Sequence, residues 1–336
     1  MSPSELSQTP QQVGLVVGFV VIGRNEGARL DQALRSIPPG VPVVYVDSGS
    51  TDSSVTVARA LEADVVELDL TIPFTAARAR NAGASRLVTI RPDLDWAMFM
   101  DGDCELVDGW IAGALHAANG HPSHAVFTGR RLERHPNRSV YNKLCDDEWD
   151  TPIGEAKACG GDALIRLAAF HSVGGFRDDL IAGEEPELCI RLRRSGWGVM
   201  RLDLDMTIHD AAMTRFVHWW RRARRSGHAF AEGAALHGAP PERHWVRETR
   251  RAVAWGIGLP AAVAVACLAI GPVALLGLLA YPAQAVRIGL REPRAGAFRW
   301  QRAFFLVLAR FPEALGVLRF EAGRLLRRPS AIMEHK

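Results

Sequence analysis

Asp101-Gly102-Asp103-Cys104 follows directly on an apolar run, Trp96-Ala97-Met98-Phe99-Met100. Two carboxylates one residue apart, at the carboxyl end of a buried strand, form a compact hard-oxygen site. Such a site suits a divalent cation carrying a diphosphate. Alone, the tetrad reads equally well as a polar turn closing a strand. Other groups stand at comparable places. Asn25 follows the apolar run Val16 to Ile22, and Asp47 follows Val41 to Val46. Gly183-Glu184-Glu185-Pro186-Glu187 opens a helical pattern that runs through Arg194. Acids in a first turn complement the helix dipole and Pro186 suits that turn, so capping accounts for part of this cluster. His209-Asp210 closes the run Val199 to Ile208.

If a nucleoside diphosphate lies across these strand ends, each group has a task. Asp47 can accept a hydrogen bond from a base N–H or a ribose hydroxyl, and Asp101 can reach the ribose. Asp103 can ligate Mg²⁺ or Mn²⁺ between the phosphates, where the cation neutralises charge on the departing diphosphate. His209 offers a further ligand, although a lone histidine is more often structural. Glu185 can deprotonate an acceptor hydroxyl as general base, with Glu184 or Glu187 able to share that role. Arg78 and Arg80 can add phosphate or base contacts. The Gly160-Gly161-Asp162 loop is a candidate for part of the donor pocket.

Alternating strands and helices must position these groups. Val16 to Ile22, Val41 to Val46, Val65 to Leu68 and Trp96 to Met100 read as strands. Continuous apolar runs of this kind mark parallel strands buried on both faces. Between them, Leu30, Ala33, Leu34 and Ile37 repeat with helical period, Asp52 or Ser53 can cap a helix running to Leu61, and Thr75 to Ser85 reads as a third helix. The pattern predicts an α/β fold with a doubly wound, mostly parallel sheet, in which ligands sit outside the carboxyl ends of the strands. Asn25, Asp47 and Asp101 all fall there. Further on, Gly160-Gly161-Asp162 and Gly174-Gly175-Phe176 read as turns flanking a short helix, Ala163 to Phe170.

The chain has 336 residues, with 48% apolar and 23% charged, enough for one large or two modest domains. Its net charge is only +3, but Arg215 to Ala254 holds nine Arg, no Lys and three Glu. This basic stretch runs into an apolar segment, which favours a membrane surface over nucleic acid. Val253 to Val286 carries no formal charge over 34 residues, and Gly271-Pro272 divides it. One membrane span needs about 20 residues. Arg247, Arg250 and Arg251 precede the segment and Arg287, Arg291 and Arg294 follow it. Basic flanks on both sides predict a helical hairpin with both ends cytoplasmic. Phe304 to Leu326 mixes apolar residues with Arg310, Arg319 and Arg324, as an interfacial amphipathic helix does. Residues 1–13 are polar and expected to lack structure, and Gly14 to Ile22 reads as a strand rather than a signal peptide. Five scattered cysteines without a Cys-x-x-Cys pair argue against a zinc site or disulfide framework.

In order along the chain, Gly23-Arg24-Asn25-Glu26, Val46-Asp47-Ser48-Gly49-Ser50-Thr51-Asp52, Ala79-Arg80-Asn81-Ala82-Gly83, Asp101-Gly102-Asp103, Val173-Gly174-Gly175-Phe176, Gly183-Glu184-Glu185 and His209 resemble the family 2 glycosyltransferases of GT-A fold. The resemblance spans about residues 15 to 230 and implies a nucleotide-sugar donor, a divalent metal and inversion at the anomeric carbon. It places Asp47 at the nucleobase, Asp101 at the ribose, Asp103 at the metal with His209, and Glu185 where the family keeps its base. Asn25, Glu26, Arg80, Asn81, Gly161 and Asp162 fall with the donor. Two departures stand out. The family often has adjacent acids where this chain has Asp47-Ser48, and its base is usually Asp. The Gln-x-x-Arg-Trp signature of processive synthases is absent, so a single transfer is expected. The resulting expectation is a sugar-transfer domain over 14–230 and a helical region over 231–336, comprising the hairpin at 253–286 and an amphipathic helix at 302–326. The enzyme would sit on the inner membrane, its active site facing the cytoplasm, with a lipid-linked or saccharide acceptor and no nucleic-acid partner. Alternatives are a polyprenyl-phosphate glycosyltransferase, a non-catalytic sugar-nucleotide-binding protein, and a nucleotidylyltransferase, for which Arg24-Asn25-Glu26-Gly27 is a poor phosphate loop.

Overall fold

The computed structural model describes residues 16–293 and 296–326. Residues 1–13, Arg294 and the tail beyond residue 326 therefore lie outside the described residues. Nine strands form one sheet: β1 (Val17–Gly23), β2 (Val43–Asp47), β3 (Asp64–Glu67), β4 (Trp96–Asp101), β5 (Cys104–Leu106), β6 (His124–Glu133), β7 (Gly154–Glu155), β8 (Ala163–Arg166) and β9 (Gly198–His209). The helices are α1 (Ala28–Arg35), α2 (Ser54–Ala60), α3 (Ala76–Ile90), α4 (Trp110–Gly120), α5 (Val140–Glu148), α6 (Leu167–Ser172), α7 (Glu184–Arg194), α8 (Phe216–His237), α9 (Val246–Val253), α10 (Leu259–Ile270), α11 (Ala280–Arg291), α12 (Phe298–Leu308) and α13 (Arg310–Leu325).

The strand order is β3-β2-β1-β4-β8-β6-β9-β5, with β7 on β9. β3, β2, β1 and β4 run parallel, and β6 and β9 run parallel to each other. β8 lies antiparallel between β4 and β6, which returns β6 and β9 to the direction of β4. The sheet is mixed and mostly parallel, as expected. One consequence governs the site. Gly23, Asp47, Asp101, Glu133 and His209 all end strands at the same edge, and the reversed β8 brings its leading residues, Gly161 and Asp162, to that edge too.

Helices cover both faces because successive strand residues point to opposite sides. Val20, Ile22, Ala97 and Phe99 enter one core with Leu87 of α3 and Leu188 of α7. Phe19, Val21, Trp96 and Met98 enter the other with Leu30 and Leu34 of α1 and Trp110 of α4. Phe99 meets Phe176 edge-on at 5.4 Å, and burying a ring of this kind stabilises by about 1.5–3 kcal/mol. Gly83 lets α3 lie against β1, since a Cβ there would stand 2.3 Å from Val20 Cγ1.

One element differs from expectation. Ala163–Arg166 is strand β8, with Phe99 opposite Ala163, and the helix begins only at Leu167. Four residues are too few for periodicity to separate strand from helix. The sheet decides here, because Leu164 enters one core while Ala163 and Ile165 enter the other.

α8 passes residue 230 without a break and packs closely on α13. A Cβ on Gly227 would stand 2.0 Å from the Glu313 carbonyl oxygen, and one on Gly316 would stand 2.1 Å from that of Arg224. The apolar segment is a helical hairpin. α9, a π-helical turn (Ala254–Gly258) and α10 run out to Gly271, whose φ of +76° reverses the chain, and a 3₁₀ stretch (Pro272–Leu279) with α11 returns. Val246–Ile270 and Pro272–Arg291 are each long and apolar enough to cross a membrane, and their apolar windows are only 6% and 11% buried. Exposure on this scale does not fit a buried helical pair in a soluble core. The amphipathic segment is two helices rather than one. α12 ends at Leu308 and α13 starts at Arg310, because Pro312 has no N–H to donate to the Leu308 carbonyl and its ring crowds that turn.

Candidate active site

Arg80 organises the site. It sits in the second turn of α3, almost wholly buried, among three acids from two other elements. Its Nη2 lies 2.9 Å from Asp101 Oδ1, and its Nη1 lies 2.7 Å from Glu184 Oε1 and 3.1 Å from Glu185 Oε1. Burial works against the charge of Arg80. The Glu185, Asp101 and Glu184 carboxylates outweigh it and hold the guanidinium charged. Arg80 therefore ties the end of β4 to the start of α7 rather than presenting itself to phosphate. Arg78, the other expected phosphate contact, donates to the carbonyls of Ile72, Pro73 and Asp69 and pins the loop before α3.

Arg131, which the sequence reading missed, holds Asp101 from the other side. Its Nη2 is 3.2 Å from Asp101 Oδ2 and 3.0 Å from Cys104 Sγ, and its Nε is 3.5 Å from Asp162 Oδ2. Trp149 faces this guanidinium at 4.9 Å. Burial pushes the Asp101 carboxyl up, but Arg80 and Arg131 pull it below the ordinary range, so it stays ionised. Asp162, expected at the donor, is fully enclosed. It accepts from the Asp101 N–H at 3.1 Å and from Thr207 Oγ1 at 2.7 Å, so it fixes Asp101 instead of facing a ligand. Gly161 lines the opening. A Cβ there would stand 2.8 Å from Arg80 Nη2, 3.0 Å from Asp101 Oδ2 and 3.4 Å from Glu185 Oε1. Only glycine leaves that approach clear.

Asp103 and His209 meet across the β5–β9 pair, with Asp103 Oδ1 3.5 Å from His209 Nε2. Arg29 Nη1 is 3.9 Å from Asp103 Oδ2. Asp103, Cys104 and His209 offer ligand atoms within 4.8 Å of one another. Burial raises the Cys104 thiol well above its usual range, so it stays protonated and leaves a carboxylate and an imidazole as the donors. This pair fits a hard or borderline divalent cation. Among the described residues, His209 Nδ1 is buried without a hydrogen-bond partner, although Glu133 Oε2 lies 3.6 Å away. A histidine ligating through Nε2 would direct that N–H to Glu133, the usual outer-shell arrangement. A second group, Asp101, Cys104 and Asp162, is a weaker candidate because both carboxylates already face Arg131.

The remaining expected residues shape the rim. Asp47 is only 3% exposed and accepts from the N–H groups of Gly49 and Ser50 and from the Tyr45 hydroxyl, so it closes its own loop. Asn25, at φ +57°, accepts from the Thr51 N–H at 2.7 Å and donates its own N–H to Ser50 Oγ, locking the β1 and β2 loops together. Glu26 is paired with Arg29 at 2.7 Å. The Asn81 amide is committed to the next turn, donating to the Phe176 carbonyl and Asp178 and accepting from the Phe176 N–H.

The three acids of α7 separate by environment. Glu187 is buried, paired with Arg191 at 2.7 Å and His237 at 3.0 Å, and so removed from the chemistry. Glu184 is taken by Arg80. Glu185 keeps partial exposure, with 15% of its side chain open. Burial and the neighbouring Glu184 push its carboxyl up to about 7, while Arg80 opposes the rise. Such a value suits a group exchanging protons near neutrality. Arg225 of α8, also missed from sequence, has Glu184, Glu185 and Asp101 in its electrostatic surroundings, while burial and Arg222 work against its charge. All five cysteines are free, and Cys159 and Cys189 lie 3.6 Å apart by sulfur.

Residues 19–177 match the family described as Glycosyl transferase family 2, from β1 through the Phe176 turn. The succinoglycan biosynthesis protein ExoA of Rhizobium meliloti (strain 1021) is 25% identical over 217 residues, 60% of this chain and 64% of that protein. The chain thus spans under two thirds of the curated relative it matches. Among solved structures, the mannosyltransferase PcManGT from Pyrobaculum calidifontis, in complex with GDP-Man and Mn²⁺, superposes with a TM-score of 0.61 at 19% identity. That likeness covers 93% of this chain and 91% of the other. It is one of fold, and the mixed sheet followed by helices is the GT-A architecture that the sequence motifs led us to expect.

Proposed function

We propose that this chain, whose residues 19–177 match glycosyl transferase family 2, moves a sugar from a nucleotide donor to an acceptor hydroxyl as a membrane-held, inverting, metal-dependent enzyme. The observation that carries this reading is Glu185, a partly open carboxyl at about 7, on the strand-end edge shared by Asp101, Asp103 and His209. In the proposed reaction the acceptor oxygen attacks the anomeric carbon as the bond to the nucleoside diphosphate breaks. The acceptor proton passes to Glu185, and the configuration inverts because attack and departure are on opposite faces. Asp103 and His209 would hold Mg²⁺ or Mn²⁺, which when bound supplies positive charge to the departing diphosphate. Asp101, fixed by Arg80, Arg131 and Asp162, serves the ribose, and Asn25, Glu26 and Asp47 shape the nucleobase side. The Mn²⁺ and GDP-Man of PcManGT agree with this choice of ligands. ExoA similarity supports a role in polysaccharide assembly, and the exposed apolar hairpin supports a lipid-linked acceptor.

Residues 14–230 then serve as the transfer domain and 231–336 as the helical region, joined through α8. The hairpin's exposed apolar surface supports attachment to the inner membrane. Basic residues at both ends support a cytoplasmic active site, where nucleotide sugars are made. The test is single-turnover transfer by the native protein and Glu185→Gln from a donor shown to bind both. Loss of roughly 10²–10⁴-fold with donor affinity retained is expected. A small loss points instead to a lipid-phosphate acceptor, which arrives already ionised, and undiminished transfer removes Glu185 from the mechanism.

A further inference from the structure

The chain reversal at Gly271 brings the start of α9 beside the end of α11, at the open end of the hairpin. A cleft of about 340 Å³ forms there, lined by Arg247, Arg251 and Trp255 from the outgoing arm and Gln284, Arg287 and Arg291 from the returning one. The Tyr281 hydroxyl donates to the Trp255 carbonyl at 2.6 Å and ties the two arms together at this level. Four guanidinium groups thus share one small opening. Among the described residues, none of the four makes an ion pair. Two nearby acids are taken, Glu292 by Arg302 at 2.5 Å and Glu313 by Arg310 at 2.7 Å. Glu248, on the same helix, pairs with none of them.

Helix ends explain only half of this charge. Arg287 and Arg291 lie towards the carboxyl end of α11, where the helix dipole favours cations. Arg247 lies in the first turn of α9, where the dipole is itself positive and adds to the repulsion. An anion in the cleft would relieve both. The surroundings define what kind of anion. Val286 and Leu290, on the returning arm, are 49% and 69% exposed, and the apolar hairpin continues from the cleft on both arms. A ligand that seats a phosphate among the arginines has apolar surface waiting for its tail, with Trp255 at the level where indole rings mark a membrane interface. Nucleic acid would match the charge but leave that surface uncovered.

We propose that this cleft binds the phosphate group of an amphiphile, through paired N–H donors of Arg247, Arg251, Arg287 and Arg291. This rests on the membrane attachment argued above. Two sources share the chemistry, the phosphodiester of an anionic phospholipid and the diphosphate of an isoprenoid carrier. The bidentate fork of arginine suits either. The site is separate from the residues assigned to sugar transfer, so it would hold the enzyme, or its carrier, at the bilayer surface.

The test uses the full chain in a nonionic detergent, titrated with short-chain phosphatidylglycerol, farnesyl diphosphate and short-chain phosphatidylcholine. At least one anionic probe should bind more tightly than phosphatidylcholine, and the tighter of the two identifies the source. The double variant Arg251→Gln, Arg287→Gln should weaken that probe about 25-fold, taking roughly fivefold for each juxtamembrane arginine. Lysine at both positions keeps the charge without the fork and should recover only part of the affinity. Unchanged nucleotide binding by each variant verifies that it is folded. Equal binding of all three probes, or an anionic probe held equally by the glutamine variant, overturns the site. Co-sedimentation with pure phosphatidylcholine vesicles separates this from the larger reading. Vesicle binding by both proteins without the anion effect refutes the cleft alone, and native protein that never sediments refutes membrane attachment and the cleft with it.

Discussion

Replacing Arg80 by methionine should change the pH at which the enzyme works, not simply its maximal rate. The native guanidinium stands 3.1 Å from Glu185 and 2.7 Å from Glu184, and Glu185 is at about 7 with that charge in place. Opposite charges with centres about 4 Å apart interact by about 4 kcal/mol at an effective dielectric constant of about 20. At about 1.4 kcal/mol per pKa unit, losing Arg80 should lift Glu185 by about two to three units. At pH 7 the base form would fall from about half to roughly 1% or below, and transfer would fall roughly 100-fold. The deficit should narrow about tenfold per pH unit until Glu185 ionises again. Because Glu184, Glu185 and Asp101 titrate together, the observed midpoint belongs to the cluster. The assay is single-turnover transfer across pH 6 to about 10 with donor saturating, alongside circular dichroism, since unpairing buried carboxylates costs about 3–5 kcal/mol of stability. Arg80→Lys keeps one charge without the fork and should shift the midpoint less. A loss of equal size at every pH, in a variant that still folds and binds donor, would refute the argument that Arg80 sets the ionisation of Glu185.

Other outcomes follow from the same geometry. In the native protein, activity should rise with pH through about 7, while the contribution of Glu185 to stability falls between 4.5 and about 7, because the folded state holds that proton more tightly than the unfolded chain. Calorimetry of Glu185→Gln should show a flatter stability profile over that window. Nucleotide near 100 times its Kd should stabilise the native protein by about 2.7 kcal/mol, and Asp103→Asn and His209→Ala should abolish the Mn²⁺-dependent part of the accompanying rise in melting temperature. An EDTA-insensitive rise in the native protein rejects the metal assignment. Gly161→Ala should cost about 1–3 kcal/mol of stability and reduce donor affinity, since its methyl would overlap Arg80 and Asp101; a variant with native melting and binding contradicts the role given to that opening. Leu268 and Leu276 are 90% and 63% exposed, so arginine at both should leave the fold intact and oppose membrane insertion by about 2.5–3.5 kcal/mol each. Native protein recovered in the soluble fraction without detergent defeats that prediction at its premise.

Much of this architecture follows from local signals. The buried runs at β1, β2 and β4, the helical periods between them, and the polar residues at their carboxyl ends were readable, because strand period and parallel burial are written into short stretches of chain. The hairpin was legible for the same reason, its charge-free length and Gly271-Pro272 reversal being local properties. The Ala163–Arg166 strand was not, since four residues take their conformation from the sheet that receives them. Nor was the division of α12 from α13, where a single proline outweighed a continuous amphipathic pattern. The site divides likewise. Sequence placed Asp101, Asp103, Glu185 and His209 as the groups with chemistry to do. Only the packed structure shows that Asp162 and Asn81 spend their polar atoms on positioning, that Glu187 is locked by Arg191 and His237, and that Arg80 and Arg131 clamp Asp101 from opposite sides. Those assignments depend on burial and on partners as much as 104 residues apart. The energy of a charge is set by how much water and which counter-charge surround it, and neither can be read from its neighbours in the chain.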